Sequence, residues 1–191
     1  WAFWVAVSFF TVYPTCNWIT FHRTGTFSLY LDAELAIPFI PQFVWVYLSM
    51  YVLFLTPPFF LNASQPTVLG KHLVLSTIVS GGLFLLVPAK LGFARTLPDD
   101  PLYRQVFADM FAVDLPHNMV PALHVVFSAL ILFAILEAAE RGQVKLLWWS
   151  WLIVICVSTI LVHQHHLIDV VSGLMVATMV SRAIKKGERY A

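Results

Sequence analysis

Charged residues are scarce in this chain, and their scarcity excludes an ordinary soluble domain. Only 11% of the 191 residues are charged and 60% are hydrophobic, whereas a soluble domain carries about a quarter charged residues. The net charge of +1 is too small to indicate a nucleic-acid partner. We therefore predict an integral membrane protein in which residues 1–191 form a single domain.

Cysteine is nearly absent as well. The two cysteines, Cys16 and Cys156, fall in different apolar segments, where lone thiols are most often small core residues. We expect no disulfide framework from them. The segment that begins at Trp1 lacks the basic region and the small-residue cleavage site of a signal peptide. We expect it to be the first membrane helix.

Long apolar runs take the place of the missing charge. A helix that crosses a bilayer core needs about 20 apolar residues, and six segments come close to that length. We predict an all-α fold, an integral membrane bundle of six transmembrane helices. The predicted helices cover residues 1–19, 41–61, 72–87, 119–136, 146–162 and 167–184, and a polar stretch runs from Pro88 to His117.

The basic residues are distributed unevenly over the two ends of this bundle. The end where the second, fourth and sixth helices begin holds Arg23, Lys90, Arg95 and Arg104. The opposite end holds Lys71, Arg141, Lys145, Arg182, Lys185, Lys186 and Arg189. Because cytoplasmic loops carry the excess of Lys and Arg, the opposite end is predicted to be cytoplasmic. The first end is then predicted to be extracytoplasmic, facing a periplasm or a lumen.

Most histidines lie near that first end, and ionisable groups at membrane depth are functional candidates. His165 and Asp169 are four residues apart at the start of the sixth helix, so they share a face. A carboxylate bonded to one ring nitrogen leaves the other nitrogen free as a nucleophile or base. His166 is three residues from Asp169 and competes for the same partner, so the spacing alone leaves the choice open.

Two further elements fit phosphate chemistry. His124, in the first turns of the fourth helix, can donate a proton to a leaving oxygen as a general acid. Lys90 and Arg95, just past the third helix, can clamp phosphate oxygens. Taken alone, the two cations are explained equally well as interfacial residues at a helix end.

Together these segments resemble the type 2 phosphatidic acid phosphatase superfamily, which includes inositol phosphorylceramide synthase-like transferases and vanadium haloperoxidases. That family has a first motif with Lys and Arg, a second motif that ends in His, and a third of the form His-x-x-x-Asp. The matching segments here are Lys90 to Arg95, Pro121 to His124, and Ser158 through His165 to Asp169. The resemblance is concentrated between residues 88 and 177.

The resemblance implies a role for each residue. It implies that His165 is the nucleophile that forms a phosphohistidine, that Asp169 orients it, and that His124 is the acid. It favours His165 over His166, because only His165 has the Asp four residues later. It implies that Lys90 and Arg95 bind the phosphate, and we group Ser158 and Asn118 with them as phosphate-binding residues. It implies no metal or other cofactor.

The chain departs from the family pattern at four positions. Thr96 replaces the Pro that follows the first-motif Arg, and Ala122 replaces the second-motif Ser. Thr159 replaces the third-motif Arg, and His163 stands where a basic residue often precedes the nucleophile. Each lost phosphate contact is worth about 1.5–3 kcal/mol as a charged hydrogen bond. We expect a working enzyme with an altered phosphate pocket.

These residues predict a lipid phosphatase whose partners are the membrane and a lipid phosphate within it. One alternative is a transferase that moves a phosphate-bearing head group between lipids, because both reactions share the first step. Another is a binding or transport protein with a degenerate site. A last alternative makes His163, His165, His166 and Asp169 a zinc site, although the nucleophile–acid pattern explains Asp169 without a metal.

Overall fold

The computed structural model describes residues 1–62, 64–139 and 141–188. In these ranges the secondary structure is helical, apart from isolated β-bridges that join Ala89 to Phe27 and to Asn118. The α-helices are α1 (Ala2–Phe21), α2 (Val44–Leu48), α3 (Met50–Leu53), α4 (Pro57–Phe60), α5 (Gln65–Leu86), α6 (Pro101–Val113), α7 (Leu123–Ala138), α8 (Gly142–Leu161) and α9 (Leu167–Glu188). Two 3₁₀ turns cover Asp32–Ala36 and Pro41–Phe43. The all-α prediction is confirmed.

Several of these helices fit a membrane protein. Within the described ranges, three are long and apolar enough to cross a bilayer: α5, α8 and the part of α9 from Leu167 to Ile184. α7 is apolar but has only 16 residues. The outer faces of α8 and α9 carry exposed apolar side chains, among them Leu146, Ile153, Met175 and Met179. The predicted count of six spans is not confirmed.

The second predicted span is not one continuous helix. It is divided into the turn Pro41–Phe43 and the short helices α2, α3 and α4. Pro57 begins α4, and proline cannot donate the backbone hydrogen bond that a continuing helix needs. At the break between α2 and α3, the Ser49 hydroxyl donates to the Val46 carbonyl and accepts a hydrogen bond from Trp151 Nε1. The Ser49 hydroxyl thus links the interrupted segment to α8.

The predicted polar stretch contains a helix that the sequence analysis did not predict. Asp100 caps the start of α6 by accepting hydrogen bonds from the backbone of Leu102 and Tyr103, and Pro101 occupies the first helical position. Phe107 of α6 is fully buried against α2, so the helix covers one end of the bundle.

α7 lies at the centre of the bundle, and most of its side chains are buried. α5 and α9 pack against it, and α1 packs against α5. Gly173 allows α9 to approach the start of α7, since a Cβ there would lie 3.0 Å from the Ala122 carbonyl oxygen. The Ala122 N–H also donates to the Asp169 carbonyl, at 3.0 Å. The N-terminal ends of α7 and α9 are therefore fixed next to each other.

Candidate active site

The turn between α8 and α9 sets the position of the histidines. The Thr159 carbonyl accepts hydrogen bonds from the N–H groups of Gln164 and His165, at 3.0 and 3.1 Å. His163 has a φ of 55°, the left-handed conformation that reverses the chain at a helix end. α9 begins at Leu167, so His165 lies two residues before a helix N-terminus, whose dipole favours an anion.

His165 and Asp169 are in contact and almost completely buried, with 3% and 1% of their surface exposed. Nδ1 of His165 lies 3.3 Å from Oδ2 of Asp169, and the same oxygen accepts a hydrogen bond from the His166 N–H at 2.8 Å. Within the described residues, Nε2 of His165 makes no hydrogen bond. A carboxylate beside Nδ1 favours the tautomer with the proton there, which leaves the Nε2 lone pair available to attack.

His166 has no ring nitrogen available for the same role. Its Nδ1 lies 3.3 Å from Oε2 of Glu34, and its Nε2 accepts a hydrogen bond from the Gly92 N–H at 3.0 Å. The ring is stacked between Tyr30 and Phe93, with centroid distances of 4.5 and 4.4 Å. Burial lowers the pKa of His166, despite the opposing effect of Asp169 and Glu34. The geometry therefore favours His165 over His166 as the nucleophile.

Glu34 is a site residue that the sequence analysis did not single out. Its carboxylate accepts hydrogen bonds from the N–H groups of Leu31 and Leu167, at 2.9 and 2.8 Å, in addition to its contact with His166. Burial raises the pKa of Glu34, but these hydrogen bonds and His166 outweigh that effect and lower it. In the sequence, Glu34 could have been found because its carboxylate directly precedes the apolar run 35–41, and a buried charged group needs a partner.

His124 lies at the start of α7, facing the nucleophile. Its ring centroid is 5.8 Å from that of His165. Nε2 of His124 lies 2.7 Å from the hydroxyl of Tyr47, a buried residue of α2. The sequence analysis did not identify Tyr47, because its contact with His124 joins segments 77 residues apart.

Arg95 and Asp114 bring opposite charges to the same end of the bundle. The Arg95 guanidinium lies 4.8 Å from the centroid of the Phe111 ring and donates to the Phe111 carbonyl, while its Nε is buried without a partner. Burial lowers the pKa of Arg95 and raises that of Asp114. The Tyr13 hydroxyl donates to Asp114, and His165 and Arg95 lie close enough to oppose the rise in the Asp114 pKa.

A cavity of about 810 Å³ opens beside these residues, between α1, the α2–α3 region and α7. Its polar lining consists of Tyr13, Asn17, Tyr47, Tyr51, Asp114, His124 and Gln164, and its aromatic lining includes Trp1, Phe9, Phe10, Phe54 and Phe127. The cavity thus joins an apolar region within the helices to the imidazole of His124.

The sequence pattern of the PAP2 superfamily matches residues 69–190, which is more than half of the chain. This chain belongs to the PAP2 superfamily. Members of that superfamily are generally phosphatases or phosphotransferases. No curated protein matches the chain. The matched region contains His124, His165 and Asp169, whereas Glu34 and Tyr47 precede it.

The other residues expected in the PAP2 site, Lys90, Asn118 and Ser158, lie in different environments. Lys90 is exposed and follows Ala89, whose backbone pairs with Phe27 and Asn118. Asn118 is buried, with Oδ1 accepting a hydrogen bond from Thr20 at 2.8 Å and Nδ2 unpartnered. The buried Ser158 hydroxyl donates to the carbonyl of Ile155 at 2.7 Å. Among the described residues, none of these three side chains forms a hydrogen bond with His165.

Two departures from the PAP2 pattern have a structural role here. The methyl group of Ala122 is fully buried against Val125 and Val170. The His163 ring stacks on Phe93, with 4.0 Å between centroids, and its Nε2 lies 2.9 Å from the Ile37 carbonyl oxygen. Both side chains therefore stabilise the packing around the PAP2 motifs.

The alternative of a zinc site is not supported by the placement of the ligand candidates. Among the residues that the structure describes, no three His, Cys, Asp or Glu side chains are grouped as a metal would require. His163, His165 and His166 are adjacent in sequence, but their rings take part in different contacts.

Proposed function

We propose that this chain is an integral membrane lipid phosphatase that cleaves a lipid phosphate ester through a phosphohistidine on His165. The observation that carries the proposal is the arrangement of three side chains. Asp169 holds Nδ1 of His165, and His124 faces the same imidazole from the start of α7. These three side chains can supply the nucleophile, the orienting carboxylate and the proton donor that such a reaction needs.

In the first step, Nε2 of His165 attacks phosphorus and the ester P–O bond breaks. The phosphorylated ring becomes cationic, and the carboxylate of Asp169 stabilises that charge through Nδ1–H. The leaving alkoxide takes a proton from His124. In the second step, His124 accepts a proton from water as the water oxygen attacks phosphorus. The P–N bond then breaks and returns its electron pair to His165.

We assign the phosphate-binding groups from the family pattern. Unpartnered donor atoms support the assignment for some of these residues and not for others. Arg95 is held beside Phe111, three residues before Asp114 at the end of α6. Its buried Nε lacks a partner that a phosphate oxygen would supply. The unpartnered Nδ2 of Asn118 is a second available donor. Lys90 and Ser158 are assigned on the family pattern alone.

The cavity supports a lipid rather than a small soluble phosphate. It is lined mainly by apolar and aromatic side chains, and its 810 Å³ suits a ligand with hydrocarbon chains. We propose that acyl chains occupy the apolar part while the phosphate lies beside His124. α1, α7 and the segment 41–61 would then lie in the membrane with α5, α8 and α9, as one domain with six crossings.

A head-group transferase is the second candidate, and one observation favours it. Two expected phosphate contacts are replaced by Ala122 and Thr159, and the acid Asp114 lines the same cavity as His124. Fewer cationic contacts and a nearby carboxylate suit a phosphodiester, which carries less negative charge than a monoester. In this case a second alcohol would replace water in the second step.

The test is turnover by the purified protein in detergent or vesicles, with phosphatidic acid and with phosphodiester lipids, in the presence and absence of a chelator. We expect chelator-resistant phosphate release and an acid-labile phosphoenzyme. Movement of a head group to a second lipid would establish the transferase instead. Silence with every lipid, in protein that binds lipid and is folded, would support a degenerate binding protein. Chelator-sensitive turnover would contradict the proposed mechanism.

A further inference from the structure

The polar corner of the cavity contains a group of residues that the proposed reaction does not use. Tyr13 and Asn17 are four residues apart on α1, so they project from the same face. The Tyr13 hydroxyl donates to Oδ1 of Asp114, which follows the end of α6. All three side chains line the cavity.

Two of these side chains have unused hydrogen-bonding capacity. Asn17 has only 6% of its surface exposed, and its side chain makes no hydrogen bond to any described residue; its Oδ1 is buried without a partner. Asp114 is only partly buried, and its Oδ2 accepts no hydrogen bond from a described residue, since Tyr13 donates to Oδ1. Buried polar groups in native proteins are normally satisfied. A ligand in the cavity would supply the missing bonds.

The chemistry of the free groups selects the ligand. A carboxylate oxygen accepts hydrogen bonds and repels phosphate oxygens, so this corner is unsuited to the phosphate itself. A quaternary ammonium head group is also unsuited, because it has no hydrogen-bond donor for these oxygens. A hydroxyl group both donates and accepts, which matches a carboxylate and an amide together.

We propose that Tyr13, Asn17 and Asp114 form a hydroxyl-binding subsite, which selects lipids whose phosphate is esterified to a polyol head group. The subsite rests on the proposed function, since it places the polyol beside the phosphate that His165 attacks. Asp114 binds the head group, and Tyr13 holds the carboxylate in position. Substrates with hydroxyls next to the phosphate are therefore preferred over lipids that lack them.

The experiment measures lipid binding in a His165→Ala background, where no turnover occurs. The ligands are short-chain phosphatidylglycerol, phosphatidylcholine and phosphatidic acid with identical acyl chains. We expect phosphatidylglycerol to bind tightest. Adding Asp114→Asn should weaken its binding by about tenfold, the equivalent of one charged hydrogen bond. The same change should not weaken binding of phosphatidic acid, because it removes a negative charge that repels the phosphate.

A matched control and a second variant keep the result interpretable. Asp109→Asn, on the exposed face of α6, removes a carboxylate that accepts a hydrogen bond from Gln105 and should leave all three affinities unchanged. Tyr13→Phe should reduce phosphatidylglycerol binding selectively, because Asp114 loses its donor. Equal weakening for all three lipids, or tighter binding of phosphatidylcholine than of phosphatidylglycerol, would overturn the subsite.

Failure of the subsite and failure of the proposed function give different results. If the wild-type protein forms a phosphoenzyme but Asp114→Asn leaves the lipid preference unchanged, only the subsite is wrong. If no lipid yields a phosphoenzyme but the binding preference depends on Asp114, the reaction is wrong and the hydroxyl-binding site remains.

Discussion

The imidazole of His166 is hydrogen-bonded to the carboxylate of Glu34, 132 residues earlier in the chain, with 3.3 Å between Nδ1 and Oε2. The other ring nitrogen of His166 receives the Gly92 N–H, in the segment between Lys90 and Arg95. Its backbone N–H donates to Asp169. One imidazole therefore connects the segment after α1, the first motif and the acid that orients the nucleophile.

Glu34 is predicted to be a positioning residue. Glu34→Ala leaves the Leu167 N–H and His166 Nδ1 without their acceptor, which should cost about 1.5–3 kcal/mol of stability per charged hydrogen bond. It should also lower kcat more than it raises KM, because the nucleophile is displaced while the lipid cavity is intact. Glu34→Gln keeps one acceptor oxygen and should recover part of kcat. Steady-state kinetics and thermal unfolding would measure both effects.

The control for this prediction is Asp32→Asn, since Asp32 is exposed two residues earlier. It should leave kcat and stability unchanged. If Glu34→Gln and Glu34→Ala have the same kcat, with equal effects on KM, then Glu34 acts on stability alone.

The nucleophile can be identified by trapping the phosphoenzyme. His165→Ala should abolish turnover and the acid-labile phosphohistidine, because His165 is the histidine whose ring faces His124 among the described residues. His166→Gln should still form the phosphoenzyme, although at a lower rate and with reduced stability, since it loses the stack between Tyr30 and Phe93. Mass spectrometry of the trapped protein would locate the phosphate. A phosphate on His166 would reverse the assignment.

His124 can be tested as the acid by changing the leaving group. An aliphatic alkoxide needs a proton to leave, whereas nitrophenolate does not. His124→Ala should therefore lose about 10²–10⁴-fold on a lipid phosphate and far less on nitrophenyl phosphate. The comparison requires single-turnover rates, because breakdown of the phosphohistidine can otherwise limit both reactions. Equal losses on the two substrates would make His124 a phosphate-binding residue only.

Stability should fall as the pH is lowered from 7.5 to 5.5. Burial lowers the pKa of His166 in the folded state, so the unfolded chain takes up a proton first, below its ordinary pKa of about 6.5. The contribution of neutral His166 to stability is complete above that pKa and decreases as the pH falls below it. Thermal unfolding should show a shallower pH dependence for His166→Gln than for the wild type. Part of the slope should persist, because the pKa values of His117 and His163 are also lowered by burial.

His22→Gln, which removes an exposed ring, is the control for the loss of a histidine and should keep the wild-type slope. A slope for His166→Gln equal to that of the wild type would show that protonation of His166 does not limit stability.

The orientation in the membrane can be tested with single cysteines in a background without Cys16 and Cys156. A membrane-impermeant thiol reagent should label Asp100→Cys in intact cells, because the excess of basic residues places the opposite end in the cytoplasm. Gln143→Cys should be labelled only after lysis. Both positions are exposed, so accessibility within the protein does not limit labelling. The reverse pattern would move the active site to the cytoplasmic side.

The amino-acid sequence was sufficient for the features that depend on local composition and spacing. The scarcity of charge and the apolar runs predicted α5, α8 and α9 because a helix satisfies its own backbone in a membrane. The i, i+4 spacing of His165 and Asp169 predicted their contact, although His165 lies in the turn before α9 and not within the helix.

Only the tertiary structure showed how distant segments complete the site. Glu34 and Tyr47 contact His166 and His124 across 132 and 77 residues of sequence, and no local pattern encodes such contacts. The choice between His165 and His166 also depended on these contacts, because Glu34 and Gly92 bind both nitrogens of His166. The second predicted span divides into short helices: Pro57 and Pro58 indicate an interruption from the sequence, whereas the break at Ser49 was seen only in the structure. Composition and spacing predict which segments are apolar enough for a membrane, but side-chain packing between segments decides which ring nitrogens have no hydrogen-bond partner.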